Sequence, residues 1–202
     1  MRDKKADRKK LLQDAIRVDI LEAAESILLE NGMEALTMDR IAERAGVAKG
    51  TLYLHFKNKD EVLSAAQEAC FNPLIQDLHC VFESDLSPRE KLERHSLLTM
   101  SFFEERINFF RIMVANRFFT PKDQSHFEEN SLYWDFFKKI EQVIKDGIRL
   151  EIFRPVNTAK AAGIFLEIGS ALLIQRIYSK SSSSPEDDAD LHIDIFLNGI
   201  AA

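Results

Sequence analysis

Residues 37–63, TMDRIAERAGVAKGTLYLHFKNKDEVL, contain the side chains best suited to binding a polyanion. A short predicted helix in this segment offers hydrogen-bond donors, a bare backbone position and no carboxylate, and its residues of interest are Lys49, Gly50, Thr51, Tyr53 and His55. An α-helix fits the major groove of B-DNA, where such side chains reach base edges and phosphates. The same residues can also simply face solvent, so their chemistry alone leaves both interpretations open.

Two short predicted helices and the turn between them position these donors. Thr37 offers an N-cap for the first helix, where the helix dipole adds a phosphate site. Gly46 supplies the positive φ that a tight turn needs, and Ile41, Val47 and Leu52 can hold the two helices together. The outer face of the second helix therefore stays free.

This segment resembles the helix-turn-helix of the TetR family of transcriptional regulators. The family pattern of a Thr or Ser cap, I-A-x-x-A-G-V, Gly-Thr-Leu/Ile-Tyr, H/Y-F and K-[DE]-x-L is matched here at Thr37 and at residues 41–47, 50–53, 55–56 and 59–63. The agreement covers about the first third of the chain and follows the family's order and spacing. The resemblance implies that the DNA contacts are Thr37, Lys49, Gly50, Thr51, Tyr53, His55 and Lys59. Val47, Leu52 and Phe56 are then core residues.

The rest of the sequence predicts an all-α fold of about nine helices. Hydrophobic residues make up 46% of the 202 residues, and only 7 Gly and 5 Pro are present, which favours long helices. We expect a three-helix helix-turn-helix domain over residues 1–60, with a basic, partly ordered tail over 1–13. A helical ligand-binding and dimerisation domain is expected over residues 61–202.

Local signals place several helix ends. Ser87 followed by Pro88 and Glu90 forms a capping-box pattern, and Asp60 is a candidate N-cap for the fourth helix. Pro73 is expected to kink that fourth helix or end it early. The later helices are predicted over about 104–118, 123–147, 157–180 and 185–199, with breaks at Pro121, 147–155 and 181–185.

The charge distribution places any polyanion partner at the N-terminal part of the chain. The net charge is -6, which argues against a protein that coats nucleic acid by bulk charge. Residues 1–60 nevertheless hold 12 Lys and Arg against 11 Asp and Glu, which leaves 15 against 22 in the remainder.

Beyond the motif, the resemblance implies a domain that binds a ligand and forms a dimer. A largely aromatic set with a few polar groups supplies the candidate pocket residues, which are His95, Phe103, Phe110, Met113, Asn116, Phe137, Phe165 and Glu167. The candidate dimer-interface residues are Ala162, Gly169, Ser170, Leu173, Ile195 and Phe196. Ordinary packing within one chain is the alternative for both sets.

Other protein classes find little support in the sequence. Cys70 and Cys80 lack metal-ligand spacing and are expected to be buried free thiols. The histidines are scattered and no catalytic constellation has a convincing context, so no metal, no cofactor and no enzymatic activity are predicted. No apolar run approaches the roughly 20 residues of a membrane helix, which favours a cytoplasmic protein.

The sequence therefore predicts a DNA-binding repressor that acts as a homodimer on a pseudo-palindromic operator. A small, largely apolar effector is expected to release it. Two alternatives stay open: a DNA-binding regulator that is constitutive or controlled by a protein partner, and a helical enzyme or carrier that contains a helix-turn-helix element.

Overall fold

The computed structural model describes residues 2–116, 132–178 and 183–200, with side chains described over 7–116, 134–178 and 183–198. Within these ranges the chain is all-α, as predicted, and contains no strand. The helices are α1 Arg2–Asn31, α2 Met38–Arg44, α3 Lys49–His55, α4 Lys59–Glu83, α5 Pro88–Glu105, α6 Ile107–Ala115, α7 Leu132–Arg149, α8 Thr158–Tyr178 and α9 Pro185–Ile200, with a short 3-10 helix at Met33–Ala35. The predicted break at Pro121 and the start predicted near residue 123 lie outside the described residues.

The chain forms two compact units, Met1–Asn72 and Pro73–Ala202. The division falls inside α4 rather than after residue 60. The first turns of α4, which contain the buried residues Val62 and Leu63, group with the N-terminal unit. Assignment of DNA binding to the first unit and ligand binding to the second stays a prediction.

Helix α1 begins at Arg2, so the residues expected to form a partly ordered tail are helical. They contain neither Gly nor Pro and are rich in Lys, Arg, Ala and Leu, which are good helix formers. Residues 7–15 are exposed, and Ile20 is the first buried residue among the described side chains. The helix ends at Asn31, before Gly32, whose φ of 77° is a conformation that glycine adopts easily.

The start of α4 and its length beyond Pro73 both differ from what local signals suggest. Its N-terminal cap is Asn58, whose Oδ1 accepts a hydrogen bond from the Glu61 N–H at 2.9 Å, rather than Asp60. The helix also continues through Pro73 to Glu83, so it does not end early, and the alternative of a kink at Pro73 stays a prediction. Because buried Leu74 and Leu78 lie in the turns after the proline, tertiary packing offsets the backbone hydrogen bond that proline cannot make.

The core of the C-terminal unit lies where α5, α7, α8 and α9 meet. Its buried members are Leu92, Ile140, Val143, Ile144, Phe153, Ala161, Ala162, Phe165, Ile193, Phe196 and Leu197. The predicted capping box is confirmed at the start of α5: the Ser87 N–H donates to Glu90 Oε2 at 2.8 Å, and the Glu90 N–H donates to Ser87 Oγ at 3.3 Å. Buried Arg176 of α8 joins the C-terminal end of α5 to the start of α9 through Glu104 and Asp188, each at 2.6 Å.

Two expectations based on composition need correction. Among the described helices, α8 is long and apolar enough to cross a membrane by length and composition alone, contrary to the expectation that no segment approaches that length. Core helices of soluble proteins meet the same criterion, and α8 supplies Ala162 and Phe165 to the core. Cys70 and Cys80 were both expected to be buried, but Cys70 is half-buried and Cys80 is exposed.

Candidate nucleic-acid interface

The turn between α2 and α3 has the predicted geometry. Thr37 caps α2, because its Oγ1 accepts a hydrogen bond from the Arg40 N–H at 3.3 Å. Gly46 adopts a φ of 66°, which only glycine adopts easily, and the turn closes through the Val47 N–H donating to the Ala42 carbonyl at 3.0 Å. Together these contacts fix the start of α3 relative to α2.

Helix α3 has one buried face and one outward face. Leu52 is fully buried and Phe56 follows it into the core, as expected for the inner side. On the outer side, Lys49, Gly50 and Tyr53 are exposed. A Cβ built on Gly50 would meet nothing within 4 Å, so the glycine leaves open space beside the helix rather than permitting a core contact.

The remaining four predicted DNA contacts lie on α3 and at the start of α2 and of α4. Thr37 and Lys59 are exposed, at the start of α2 and of α4. Thr51 and His55 are half-buried on α3. All seven residues thus belong to the N-terminal unit and retain accessible surface, and their contacts with DNA stay a prediction.

Two residues of this surface were missed in the sequence. Leu54 is 87% exposed, a large apolar side chain on the helix expected to read bases, and leucine can contact a thymine methyl group. Its position two residues after buried Leu52 was the available signal. Asp39 belongs to α2, and only the packing of α2 against α3 brings its carboxylate to Lys49, so the composition of α3 gave no signal of it.

Asp39 forms an ion pair with Lys49. The Lys49 Nζ lies 2.6 Å from Asp39 Oδ1, and both side chains are more than half exposed. The hydrogen bond to Asp39, followed by its charge, raises the pKa of Lys49 above the ordinary value. A carboxylate therefore lies beside the first residue of the outward helix.

Contacts with α1 brace the helix-turn-helix from behind. The Arg44 guanidinium makes a two-pronged pair with the Glu30 carboxylate at 3.0 and 2.8 Å. The hydrogen bond from Arg44, the largest cause, lowers the pKa of Glu30 to about 2. The Arg17 guanidinium lies over the Phe56 ring at 4.7 Å. These contacts hold α1, α2 and the end of α3 as one platform.

In the C-terminal unit, one buried histidine lies among aromatic rings. His95 of α5 is 6% exposed, and its ring centroid is 5.9 Å from Phe82 of α4, 6.3 Å from Phe136 of α7 and 5.3 Å from Phe165 of α8. We call these four residues the His95 cluster. Within the described residues, His95 Nδ1 is the one buried side-chain nitrogen or oxygen without a hydrogen-bond partner. Desolvation, and then the proximity of His192, lowers the pKa of His95 to about 3, so the ring is neutral.

The other pocket candidates do not all join this cluster. Phe103 stacks on Phe110 at 4.3 Å, and Met113 is buried on the same helix as Phe110. Phe137 is partly buried against the core that contains Phe165. Asn116 and Glu167 are both exposed, and the Asn116 amide donates to the Ile112 carbonyl at 2.8 Å. The structure therefore brings His95 and Phe165 together but places Asn116 and Glu167 at the surface.

Packing within one chain accounts for half of the dimer-interface candidates. Ala162, Gly169 and Phe196 are buried by the chain's own helices, and a Cβ on Gly169 would lie 3.0 Å from His192 Cε1. Ser170 and Leu173 are half-buried, and Ile195 is half exposed. Exposed apolar residues that sequence reasoning did not select lie on the same two helices and are Ile164, Ile174, Tyr178 and Leu191.

Comparisons with known proteins agree with this architecture. The family described as "Bacterial regulatory proteins, tetR family" matches residues 20–66. The fatty acid metabolism regulator protein of Bacillus subtilis is 33% identical over 75 residues, a match that spans 37% of this chain and 39% of that protein. The HTH-type transcriptional regulator YhgD of Bacillus subtilis is 28% identical over 168 residues, or 83% of each chain.

Solved structures share the fold over nearly the whole chain. SmeT, the repressor of the Stenotrophomonas maltophilia multidrug efflux pump SmeDEF, superposes with a TM-score of 0.73 at 24% identity and covers 92% of this chain and 90% of its own. A SmeT complex with triclosan gives a TM-score of 0.68 at 22% identity, with 93% and 92% covered. At these identities the likeness establishes the fold, while the family match establishes the type of N-terminal domain.

Proposed function

We propose that this chain, a member of the tetR family of bacterial regulatory proteins, is a cytoplasmic transcriptional repressor that a small apolar effector releases from DNA. The observation that carries the proposal is the outward face of α3. This face combines exposed Lys49, Gly50 and Tyr53 in a segment that matches the family. No catalytic role is assigned to the chain.

DNA binding would use the two kinds of contact that helix-turn-helix proteins use. Lys49, Tyr53 and their α3 neighbours would enter the major groove, where side chains reach both base edges and the flanking phosphates. Thr37 at the start of α2 and Lys59 at the start of α4 would contact phosphates on either side and fix the register. Binding should therefore weaken steeply as salt rises.

A symmetric dimer would provide two such units, spaced for half-sites about 34 Å apart on a pseudo-palindromic operator. The surface offered for pairing is the exposed apolar set on α8 and α9, where Ile164, Ile174 and Tyr178 are each more than half exposed. A second copy of the chain is the proposed occupant, because in a two-fold dimer the same exposed apolar residues of both copies would bury one another. Ile195 of α9, the one dimer candidate from the sequence that is exposed, would extend this surface.

The effector site is proposed at the His95 cluster. A buried nitrogen without a partner is costly, by about 1–3 kcal/mol, unless a ligand or water hydrogen-bonds to it. The surrounding phenyl rings suit an aromatic or acyl body, and neutral His95 suits a single polar group on it. Relatives whose names mention triclosan and fatty acid metabolism are consistent with such a ligand.

Coupling between effector and DNA would pass through α4. This helix contributes Phe82 to the His95 cluster, and its first turn contains Lys59. A ligand that separates Phe82 from His95 would displace α4 and favour a state in which the two α3 helices no longer fit successive grooves. The ligand must bind that state more tightly, by roughly 1–3 kcal/mol in typical allosteric proteins.

The first test is DNA binding. We would select duplexes from a random pool with the purified protein and measure affinity by fluorescence anisotropy at two salt concentrations. We expect tight, salt-sensitive binding that Tyr53→Ala and Lys49→Ala weaken while helicity and dimerisation are preserved. Lys145→Ala, which removes an equal charge from α7, is the matched control and should bind normally. A protein that enriches no sequence would contradict the proposal.

The second test concerns the effector, with triclosan and dodecanoic acid as probes. Binding of either probe should raise the melting temperature and reduce operator affinity, and His95→Leu should weaken both effects. If neither probe changes operator affinity, triclosan and dodecanoic acid are excluded as effectors. A regulator that is constitutive or controlled by a protein partner then becomes the favoured alternative.

A further inference from the structure

Asp39 places a negative charge on the surface proposed to face the negatively charged DNA backbone. It belongs to the first turn of α2, and its carboxylate is 2.6 Å from the ammonium of Lys49, the first residue of α3. Both side chains are exposed, at 68% and 58%, so DNA could reach them. Helix-turn-helix proteins point the N-terminal end of their second helix toward DNA. At that end of α3, the ammonium of Lys49 is already paired with a carboxylate.

We propose that Asp39 is a positioning residue that competes with DNA phosphate for Lys49 and so limits the affinity of the protein for the DNA backbone. This inference rests on the proposed DNA-binding function. In the free protein Lys49 is neutralised by Asp39, and a phosphate must displace that carboxylate and also tolerate its charge nearby. Both effects oppose binding to any sequence, because backbone contacts supply essentially all non-specific affinity.

A limited affinity for the DNA backbone suits a repressor that must dissociate from its operator when an effector binds. An effector can shift affinity only by its coupling energy, which in typical allosteric proteins corresponds to a change of about 5- to 150-fold. A protein with very high backbone affinity would stay on DNA after such a change. By holding Lys49, Asp39 keeps the affinity within the range that an effector can reverse.

A simpler role for Asp39 also exists and makes a different prediction. An acidic residue in the first turn of a helix interacts favourably with the helix dipole, so Asp39 could only stabilise α2. Neutralising it would then lower the melting temperature without strengthening DNA binding. Asp39→Asn keeps the size of the side chain and removes the charge, which separates the two roles.

The experiment measures the affinity of full-length wild type and variants for a 30-base-pair duplex of scrambled sequence as a function of salt. We expect Asp39→Asn to bind about three- to tenfold more tightly at low salt and to steepen the slope of log K against log salt by about one, because Lys49 then neutralises a phosphate. Asp39→Glu should restore the pair and the wild-type slope. Lys49→Ala placed in the Asp39→Asn background should abolish the gain.

Glu43→Gln is the matched control, since it removes one exposed charge from the same helix at a residue other than the partner of Lys49. The proposal is overturned if Asp39→Asn leaves the salt slope unchanged, if the gain survives Lys49→Ala, or if Glu43→Gln produces an equal gain. Wild-type protein that binds no duplex at any salt would instead contradict the DNA-binding function itself. A melting curve for each variant detects loss of folding.

Discussion

Replacement of His95 by leucine should change how the stability of the protein depends on pH. His95 is buried and neutral, with a pKa lowered from 6.5 to about 3, mainly by desolvation. A histidine in the unfolded chain takes up a proton below pH 6.5, whereas the folded chain resists protonation until about pH 3. The unfolded state therefore binds more protons in this window, and stability is lost as pH falls through it.

The size of the effect follows from the two pKa values. Each pH unit between them changes the free energy of unfolding by about 1.4 kcal/mol per proton. Between about pH 7.5 and about pH 5, the His95 contribution amounts to a loss of roughly 2 kcal/mol. His95→Leu removes this loss, and it also removes the unpartnered Nδ1, so the variant should be at least as stable as wild type at neutral pH.

Urea unfolding followed by circular dichroism at several pH values would measure the difference. The gap between His95→Leu and wild type should widen by about 2 kcal/mol on acidification, in favour of the variant. Phe82→Leu, at a ring 5.9 Å from His95, alters packing in the same cluster without removing a titratable group and should parallel wild type. Parallel curves for His95→Leu and wild type would refute the buried, neutral assignment of His95.

Three further changes have outcomes that the structure determines, each measurable by urea unfolding. Gly147→Ala should destabilise the protein by about 1–3 kcal/mol, because its Cβ would overlap the buried Phe153 ring. Gly163→Ala, with ordinary space around its Cβ, should be neutral or slightly stabilising, and equal effects of the two changes would contradict the packing described. Ser87→Ala should cost about 1 kcal/mol by removing the capping box, and no loss would show that the cap is dispensable. Arg176→Met should lower the free energy of unfolding by about 2–3 kcal/mol, because it leaves the carboxylates of Glu104, which is half exposed, and Asp188 without their cation. An unchanged urea midpoint would contradict a stabilising role of these ion pairs.

Local sequence signals predicted turns and helix caps correctly where only a few neighbouring residues decide the geometry. Gly46 was expected at positive φ, and Thr37 and Ser87 at N-caps, and the structure confirms all three. These features depend on a few consecutive residues, so the sequence contains all the information they need. The all-helical class followed from the low content of Gly and Pro, which the sequence also states directly.

Other local signals were overridden by packing. Pro73 removes one backbone hydrogen bond from any helix that contains it. Helix α4 nevertheless continues to Glu83, because Leu74 and Leu78, which follow the proline, are buried. Asp60 and Asn58 are both good caps by residue type. Asn58 is the cap because the helix begins at Lys59, directly after it. Each outcome depended on contacts or geometry that a linear pattern does not report.

The sequence by itself determined the helix-turn-helix and the residue types that its outer helix offers to DNA. Only the tertiary structure decided which side chains meet across helices. It brought Asp39 of α2 to Lys49 of α3, and it enclosed His95 among rings from three other helices. It also buried Ala162 in its own chain while leaving Ile174 exposed. The physical reason is that charge pairing and burial depend on distances between residues far apart in the chain, whereas caps and turns depend on neighbours.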